Sequence, residues 1–291
     1  MSKKNFLTLL TRSRNSNVFL ESFVKHYLAE GVDEIYILDD NSTEQIPEYV
    51  ANNPKVFIYE STCFEGPNVV PLQDTRLLYQ HLLKDLTEWL MFVDIDEFIT
   101  TRRNSKKTIR EELETTLKEA DHIKVPWVLF TSNNKIKDPK QILLENTWRW
   151  NHDKKHPIDS KKWGCRYDKI EVKSIFKPDK FQSIATHCPQ HPIKKVNIVD
   201  GVDNTSNYAN VDETEIWYYN LREECINRAY LVCNHYRIIS KNQIQQRIEQ
   251  SRFPNDQVFN IADLLNSYDK SEIEDTFLKE KSIKRKYYET N

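Results

Sequence analysis

The chain has 291 residues, of which 38% are hydrophobic and 30% charged, enough for one large domain or for one domain with an appendage. Its formal net charge of −2 gives no overall reason to expect nucleic acid as a partner. The five cysteines include no Cys-x-x-Cys pair and are odd in number, which argues against a disulfide framework and favours a reducing compartment.

The N-terminus carries a short apolar run that Thr11, Arg12 and Arg14 soon interrupt. This run is too short and too polar for the core of a signal peptide or for a membrane anchor. No other segment is long enough to cross a bilayer. The sequence therefore predicts a soluble, cytoplasmic protein without a transmembrane segment.

Strand and helix patterns alternate over residues 1–100. Short apolar runs predict the strands, while Phe19, Phe23 and Tyr27, at steps of four, predict an amphipathic helix that ends at Gly31. The predicted elements are a strand at 6–11, a helix at 18–30, a strand at 34–38, a short helix with Ser42 and Gln45 as its capping box, a strand at 55–59, a helix at 74–86 and a strand at 89–93. Such alternation implies the α/β fold class, with a mainly parallel sheet and helices on both faces.

The pattern loosens after Thr100, and the second half of the chain is expected to be more irregular. The predicted elements are a charged helix at 109–120, a strand at 123–130, a long aromatic loop at 148–166, strands at 171–176, 196–199 and 230–233, a helix at 238–253 and a charged tail helix at 272–288. There is no internal repeat and no linker rich in Pro, Gly or Ser, so one domain with a C-terminal extension is the simplest organisation.

The strand predicted at 89–93 runs directly into Asp94-Ile95-Asp96. A run this short and this apolar is typical of a central strand buried on both faces. Its carboxylates should lie at the C-terminal end, where open α/β sheets bind ligands. On an extended backbone Asp94 and Asp96 point the same way and can share one divalent cation. Glu97 would point to the opposite side, either in a structural salt bridge or in catalysis.

Glycine is scarce, and its scarcity restricts how the chain could bind phosphate. Only Gly31, Gly66, Gly164 and Gly201 occur, too far apart for a G-x-G-x-x-G turn or a P-loop. If the protein binds a nucleotide diphosphate, a metal ion bridging the phosphates is the obvious replacement for a glycine-rich loop. The Asp94–Asp96 pair can hold such an ion.

A strand that ends in Asp-x-Asp resembles the metal motif of nucleotide-sugar glycosyltransferases with the GT-A fold. The longer string Phe-Val-Asp-Ile-Asp-Glu-Phe-Ile resembles the glycosyltransferase family 2-like and family 92 (DUF23) group. The opening Leu-Thr-Leu-Leu-Thr-Arg-Ser-Arg-Asn and the later Gly-Val-Asp-Glu-Ile-Tyr-Ile-Leu-Asp-Asp-Asn-Ser resemble the same group. The likeness is strong over residues 5–100 and patchy over residues 125–250.

The resemblance implies a nucleoside site at the ends of the first two strands. It places Thr11, Arg12, Asp39 and Asp40 there, because a carboxylate at a strand end can accept hydrogen bonds from a uracil N–H or from ribose hydroxyls. Asp94 would also contact the nucleotide. The alternative for Asp39 and Asp40 is a simple turn with a helix cap.

The resemblance also suggests residues outside the first two strands. Arg76 would lie near the donor, with a plain surface cation as the alternative. Asn234-His235-Tyr236 resembles the family's late His-Tyr element, so His235 would join Asp94 and Asp96 in a site for Mn²⁺ or Mg²⁺. His187, downstream of the family-like block that begins at Lys173, is the alternative ligand. Either histidine could instead be a hydrogen-bonded core residue.

The implied function is metal-dependent transfer of a sugar from a nucleotide-diphosphate donor, UDP-linked by preference, to a glycan hydroxyl. The resembling families invert the anomeric centre, which requires a carboxylate base, and Glu97, Asp138 and Glu145 are the candidates. Residues 1–253 would form the GT-A domain, with a nucleotide-sugar half at 1–100 and an acceptor half at 101–253, and residues 254–291 a helical extension.

Two other functions and several features of the acceptor half stay open. A catalytically inactive binding protein with the same fold is one alternative. A nucleotidyltransferase is another, although it would normally want a glycine-rich N-terminal loop. Four tryptophans could stack on sugar faces or pack in the core: Trp127, Trp148, Trp150 and Trp163. For Trp127, which lies in a predicted strand, core packing is preferred. Because no membrane anchor is predicted, the chain resembles a soluble bacterial or viral enzyme rather than a Golgi transferase.

Overall fold

The computed structural model describes residues 3–61, 72–154, 170–203, 206–209, 218–219, 221–249 and 269–287. Within these residues eleven strands form one sheet, and two further strand pairs lie outside it. The strands are β1 (Asn5–Ser13), β2 (Glu34–Asp39), β3 (Val56–Glu60), β4 (Thr87–Phe92), β5 (Glu97–Thr101), β6 (His122–Leu129), β7 (Trp148–Arg149), β8 (Ile170–Phe176), β9 (Phe181–Ile184), β10 (Pro189–Pro192), β11 (Val196–Asp200), β12 (Ser206–Ala209), β13 (Tyr218–Tyr219), β14 (Leu231–His235) and β15 (Ile273–Glu274).

The helices pack against this sheet or connect its strands. They are α1 (Asn17–Ala29), α2 (Glu48–Ala51), α3 (Leu72–Leu78), α4 (Lys84–Leu86), α5 (Ile109–Glu114), α6 (Ile142–Glu145), α7 (Glu223–Ile226), α8 (Lys241–Glu249) and α9 (Phe277–Lys284). A π-helical turn at Tyr79–Leu83 joins α3 to α4, so the helix predicted at 74–86 is continuous but not regular.

The N-terminal part of the sheet has the order β3-β2-β1-β4, and each of these pairs is parallel. Helix α1 covers one face of it with Phe19, Phe23 and Tyr27, which are at most 2% exposed. Tyr79 and Leu83, from the π-helical turn, are buried in a second core cluster with residues of β1, β2 and β4. The predicted alternation of strands and helices on both faces is therefore confirmed.

The second half of the sheet is mixed. Strand β8 lies antiparallel between β4 and β6. The first residues of β6 pair with β11, and its last residues pair with β14, in parallel in both cases. Strand β14 also pairs with β5, in the antiparallel sense. This second role of β14 brings the end of a late strand to the segment that follows β4.

One predicted helix start and one predicted helix end differ from the structure. The capping box predicted at Ser42 is wrong: the Ser42 hydroxyl donates to the Asp39 carboxylate, and the next helix begins only at Glu48, after Pro47. The helix predicted at 109–120 begins where expected but ends at Glu114. Thr108 and Glu111 form the capping box of that helix, which satisfies its first backbone N–H groups.

The C-terminal part is only partly helical. Strand β15 pairs with β7, inside the segment predicted as a helix at 272–288, and α9 follows. Asp275 accepts hydrogen bonds from both Arg102 and Arg149, whose side chains are at most 5% exposed. Residues 155–169, most of the predicted aromatic loop, lie outside the described residues, as does the proposed domain boundary at 253 and 254.

None of the described helices is long and apolar enough to cross a membrane. The three cysteines in the described part of the chain, Cys188, Cys225 and Cys233, do not form disulfide bonds with one another.

Candidate functional site

The acidic turn, residues 94–96, connects the buried strand β4 to β5. The Glu97 N–H donates to the carbonyl of Asp94 at 3.0 Å, and the Asp94 N–H donates to the Glu97 carboxylate at 2.7 Å. The backbone therefore turns at this point, and the extended backbone assumed for Asp94 and Asp96 is wrong. The carboxylates still lie at the C-terminal end of a central strand, as the sequence predicts.

Asp94 is held by two cations from other strands. Lys173 Nζ lies 2.7 Å from Asp94 Oδ2, and Arg12 Nη2 lies 3.6 Å from Asp94 Oδ1. Burial alone would raise the pKa of Asp94, but the charges of Lys173 and Arg12 lower it to about 2. Asp94 is therefore ionised, and its side chain remains 35% exposed.

Glu97 lies beneath the acidic turn and is fully buried. Its carboxylate is 3.3 Å from Lys173 Nζ. Burial raises the pKa of Glu97, the Lys173 ammonium opposes this shift, and the neighbouring carboxylates of Asp94 and Asp96 add to it. The structural salt bridge that the sequence left open for Glu97 is thus present.

His235 ends β14 beside Asp96. Strand pairing places His235 opposite Glu97, and the Tyr236 N–H donates to the Asp96 carbonyl at 2.8 Å. His235 Nε2 lies 3.6 Å from Asp96 Oδ1. Burial lowers the pKa of His235, with Asp96 opposing the shift, so the imidazole is neutral near pH 7 and able to bind a metal. The His235 ring packs 4.2 Å from the buried ring of Trp127, centroid to centroid.

The described residues contain no group of three His, Cys, Asp or Glu side chains close enough to hold a cation unaided. Mg²⁺ and similar hard cations, however, are commonly bound through one or two carboxylates, with substrate phosphates completing the shell. Asp96 and His235 are already adjacent, and His235 Nδ1 is buried with no hydrogen-bond partner among the described residues. This donor set fits a divalent cation that is completed by a diphosphate.

The strand ends predicted to bind the nucleoside lie on the same side of the sheet as the acidic turn. Arg12 reaches Asp94 and stacks its guanidinium 5.3 Å from the Phe92 ring. Its Nε and Nη1 atoms are buried without a hydrogen-bond partner in the described part of the chain. Thr11 is fully buried.

Asp39 and Asp40, which follow one another at the end of β2, have different surroundings. Asp39 accepts hydrogen bonds from the N–H and the hydroxyl of Ser42, which is the turn that the sequence offered as the plain alternative. Asp40 lies 3.9 Å from Arg14, and burial raises the pKa of its carboxyl. Asp39 is therefore engaged by Ser42, whereas Asp40 Oδ1 has no hydrogen-bond partner among the described residues.

Three predicted residues make contacts elsewhere in the described structure. Arg76 donates to the Ile184 carbonyl and to Gln190, in the β9–β10 hairpin. Asp138 accepts a hydrogen bond from Ser240, and Glu145 accepts from two backbone N–H groups at the start of its own helix, α6. None of their described hydrogen bonds reaches the acidic turn.

His187, the alternative ligand, also packs against Trp127. Its Nδ1 is 3.0 Å from the Val172 carbonyl, its Nε2 is 3.7 Å from Glu171, and burial lowers its pKa to about 3. The ring centroids of His187 and Trp127 are 5.6 Å apart. Trp127 is 3% exposed, so the core role preferred for it is confirmed.

Lys173 is the site residue to which the sequence analysis gave no role. A lysine inside a strand that is buried along its whole length is a buried cation that needs carboxylate partners. Those partners, Asp94 and Glu97, are 79 and 76 positions away, and no local pattern identifies them.

The acidic turn, the histidine from β14 and the parallel strand ends define a site suited to a nucleotide diphosphate. A model of glycosyltransferase family 92 matches residues 79–267, and the chain belongs to this family. The predicted family, the glycosyltransferase class and the α/β, GT-A-type fold class are thereby confirmed. No curated protein sequence matches the chain.

Solved structures with a related arrangement are distant in sequence. Staphylococcus aureus TarS is 15% identical with a TM-score of 0.35, over 60% of this chain and 28% of that one. The mannosyltransferase PcManGT from Pyrobaculum calidifontis, in complex with GDP-Man and Mn²⁺, is 15% identical with a TM-score of 0.30, over 41% of this chain and 34% of that one. The chain thus spans about a third or less of the length of these two proteins.

Proposed function

We propose that the protein transfers a sugar from a nucleotide-diphosphate donor, with a UDP-sugar as the first candidate, to a hydroxyl of a glycan acceptor. The observation that carries this proposal is the pairing of Asp96 with His235 beside the ionised Asp94, at the C-terminal end of the central strand β4. Family membership supports the reaction class.

The donor nucleoside would lie over the ends of β1 and β2. The buried Arg12 donors and the Asp40 carboxylate can make charge-assisted hydrogen bonds there, which are roughly twice as strong as neutral ones. Thr11 and Asp39 would support this site through the backbone and the Ser42 turn. Arg76 would act indirectly, by fixing the β9–β10 hairpin.

Asp94, Asp96 and His235 would hold a divalent cation, Mn²⁺ or Mg²⁺, against the donor diphosphate. Bound there, the cation would supply Lewis-acid stabilisation of the leaving diphosphate. The contribution of the protein is a neutral imidazole and an Asp94 carboxylate that is ionised before the donor arrives. PcManGT, a distant structural neighbour, has been solved with Mn²⁺ and GDP-Man.

An inverting reaction needs a base for the acceptor hydroxyl. Glu97, fully buried and paired with Lys173, is poorly placed to meet an acceptor. Glu145 is committed to its helix start. Asp138 is half-buried and accepts a hydrogen bond from Ser240. It lies in the segment after β6, and β6 runs parallel to β14, the strand that ends at His235. Asp138 is therefore the base candidate that we retain.

The test is a donor screen with purified protein and Mn²⁺. We expect one UDP-, GDP- or dTDP-sugar to raise the unfolding temperature in the presence of Mn²⁺, because a ligand at 100 times its Kd stabilises by about 2.7 kcal/mol. The same donor should be turned over, with release of the nucleoside diphosphate. Binding without turnover would indicate an inactive binding protein, and release of pyrophosphate from a nucleoside triphosphate would indicate a nucleotidyltransferase.

A further inference from the structure

Lys173 is fully buried in β8, and its ammonium is surrounded by acceptors. Its Nζ lies 2.7 Å from Asp94 Oδ2, 3.1 Å from the Thr186 carbonyl and 3.3 Å from Glu97 Oε2. Asp94 and the Thr186 carbonyl accept hydrogen bonds from this ammonium, and Glu97 lies at ion-pair distance from it. Because the Lys173 side chain is 0% exposed, it cannot meet a substrate directly, and its effect on the site must pass through Asp94 and Glu97.

The two carboxylates that share Lys173 differ in exposure. The Asp94 side chain is 35% exposed and stands beside Arg12, whereas the Glu97 side chain is fully buried and is also fixed by the Asp94 N–H. Asp94 can thus turn toward a ligand, while Glu97 cannot. A lysine between a fixed and a movable carboxylate can lose one partner and keep the other.

We propose that Lys173 is a positioning residue that occupies Asp94 as an internal counter-ion until the donor binds, and that Glu97 and the Thr186 carbonyl retain Lys173 when Asp94 turns to the cation. This inference rests on the proposed function, because it assumes that the acidic turn receives a cation and a diphosphate. It assigns Glu97 a role as the permanent partner of Lys173.

The charges around Lys173 predict how the affinity for Mn²⁺ should depend on the presence of UDP. A buried ammonium next to Asp94 repels a divalent cation and competes with it for the same oxygen. The negative charges of a diphosphate offset this repulsion and are attracted by Lys173 and Arg12. The protein should therefore bind Mn²⁺ weakly alone and much more tightly with UDP, an effect of the size usual for coupled sites, about 5- to 150-fold.

Replacing Lys173 by a neutral residue separates this role from simple structural support. Without the ammonium, Asp94 is released, so Lys173→Met should bind Mn²⁺ alone about threefold tighter or more, while the enhancement by UDP should fall about fivefold or more. A lysine that only supported the fold would have the opposite effect, because a disordered acidic turn would bind Mn²⁺ more weakly in both conditions.

The experiment measures Mn²⁺ affinity by titration calorimetry, with and without UDP, for the wild type, Lys173→Met and the control Lys177→Met. Lys177 lies at the end of the same strand, where it contacts the Lys118 carbonyl and the Trp89 ring instead of carboxylates. Circular dichroism verifies that each variant is folded. In an Asp94→Asn background the substitution at Lys173 should no longer tighten Mn²⁺ binding, because the contested oxygen is gone.

Several outcomes would overturn the inference. Tight Mn²⁺ binding by the wild type without UDP would do so whatever the variants show, including the case in which Lys173→Met does not fold. Weaker Mn²⁺ binding by a folded Lys173→Met would also do so. If the wild type shows the Mn²⁺–UDP coupling but transfers no sugar, the proposed reaction fails and the inference stands. If sugar is transferred but substitution at Lys173 leaves both affinities unchanged, only the inference fails.

Discussion

Asp94 and Asp96 have different partners, although only Ile95 separates them. Asp94 faces the cations Lys173 and Arg12, whereas Asp96 faces the neutral imidazole of His235. Removing Asp94 would take the closest carboxylate from the buried Lys173 and leave it with Glu97 and the Thr186 carbonyl, and removing a partner from a buried ion pair is costly. Removing Asp96 takes away a repelling carboxylate. The two substitutions should therefore affect stability differently.

We expect Asp96→Ala to lower sugar transfer by about 100-fold or more, since even substitutions outside the direct ligands of a metal can cost 10- to 100-fold. The unfolding free energy should equal or exceed that of the wild type, because a carboxylate next to Asp94 is lost. Steady-state assays and denaturant unfolding measure the two effects. Glu88→Ala, an exposed acid on β4, is the control, and near-wild-type transfer by Asp96→Ala would remove Asp96 from the site.

A second prediction distinguishes the two histidines that pack against Trp127. His235→Ala should weaken the binding of Mn²⁺ together with UDP by about tenfold or more, because a neutral imidazole ligand is lost. His187→Ala should leave this affinity within about twofold, since the Nδ1 atom of His187 is already held by the Val172 carbonyl and its Nε2 atom faces Glu171. Calorimetry with both ligands decides between them, and the reverse ranking would make His187 the ligand.

At the scale of elements, the parallel strands β1 to β4 could be predicted because their signals are local. Each is a short apolar run, and α1 shows its buried face as a repeat of aromatic residues. The sequence does not predict β5 as a separate strand, because Glu97 follows the preceding apolar run without a turn signal. The pairing of β5 with β14 joins residues 130 to 138 positions apart, and no local signal indicates it.

The site shows the same division between local and distant signals. The strand ends follow from sequence position, so Asp94, Asp96, Arg12 and Asp40 could be placed at the C-terminal edge of the sheet. The turn at residues 94–96 could not be predicted, because it depends on the hydrogen bond from the Asp94 N–H to the Glu97 side chain. The contact of Asp94 with Lys173 depends on β8 lying next to β4, which only the sheet order reveals. The Ser42 cap failed for a related reason, because Asp39 competes for the Ser42 hydroxyl.

The ion pairs of Asp275, in the segment after β15, with Arg102 and Arg149 predict how the stability of the protein depends on pH. Burial would raise the pKa of Asp275, but Arg102 and Arg149 outweigh it and lower the pKa to about 2. A lowered carboxyl pKa contributes stability that is complete above the unfolded value of about 3.9 and is lost as pH falls toward 2. Asp275→Asn should therefore be destabilised by about 3–5 kcal/mol at pH 7.

Urea unfolding at several pH values tests this prediction. The difference in unfolding free energy between the wild type and the Asp275→Asn variant should become smaller as pH falls from 4 to 2, since the wild-type carboxylate becomes protonated. Asp85→Asn, at an exposed position before β4, should show no such change. A gap that stayed constant down to pH 2 would mean that the charge of Asp275 does not stabilise the fold.

At the scale of the whole molecule, residues 269–287 belong to the same core as the family-matched region. Lys281, in α9, donates to the hydroxyls of Thr100 and Thr101 in β5 and forms an ion pair with Glu30. Leu278 and Tyr287 are buried in the main hydrophobic core. We therefore propose that this segment completes the domain, and that the independent extension expected from residue 254 onward is not needed to describe it.

Two substitutions in α9 test this proposal. Leu278→Ala should destabilise the protein by about 2–5 kcal/mol, because Leu278 is 1% exposed and its loss leaves a cavity. Ile283→Ala, on the same helix but 57% exposed, should change the unfolding free energy by less than about 0.5 kcal/mol. A single unfolding transition in both variants is expected, and equal effects of the two substitutions would argue for a loosely attached helix.

The position of β14 between β5 and β6 also has a consequence for the order of folding. The acidic turn can form once β1 and β4 have paired, but His235 reaches Asp96 only after β14 has inserted between two strands made much earlier. Contacts between such distant parts of a chain form slowly, because the intervening segment must first be ordered. An early folding intermediate built from the parallel strands would therefore hold the carboxylates without the imidazole. Such an intermediate would lack the complete set of cation ligands until the last strands are in place.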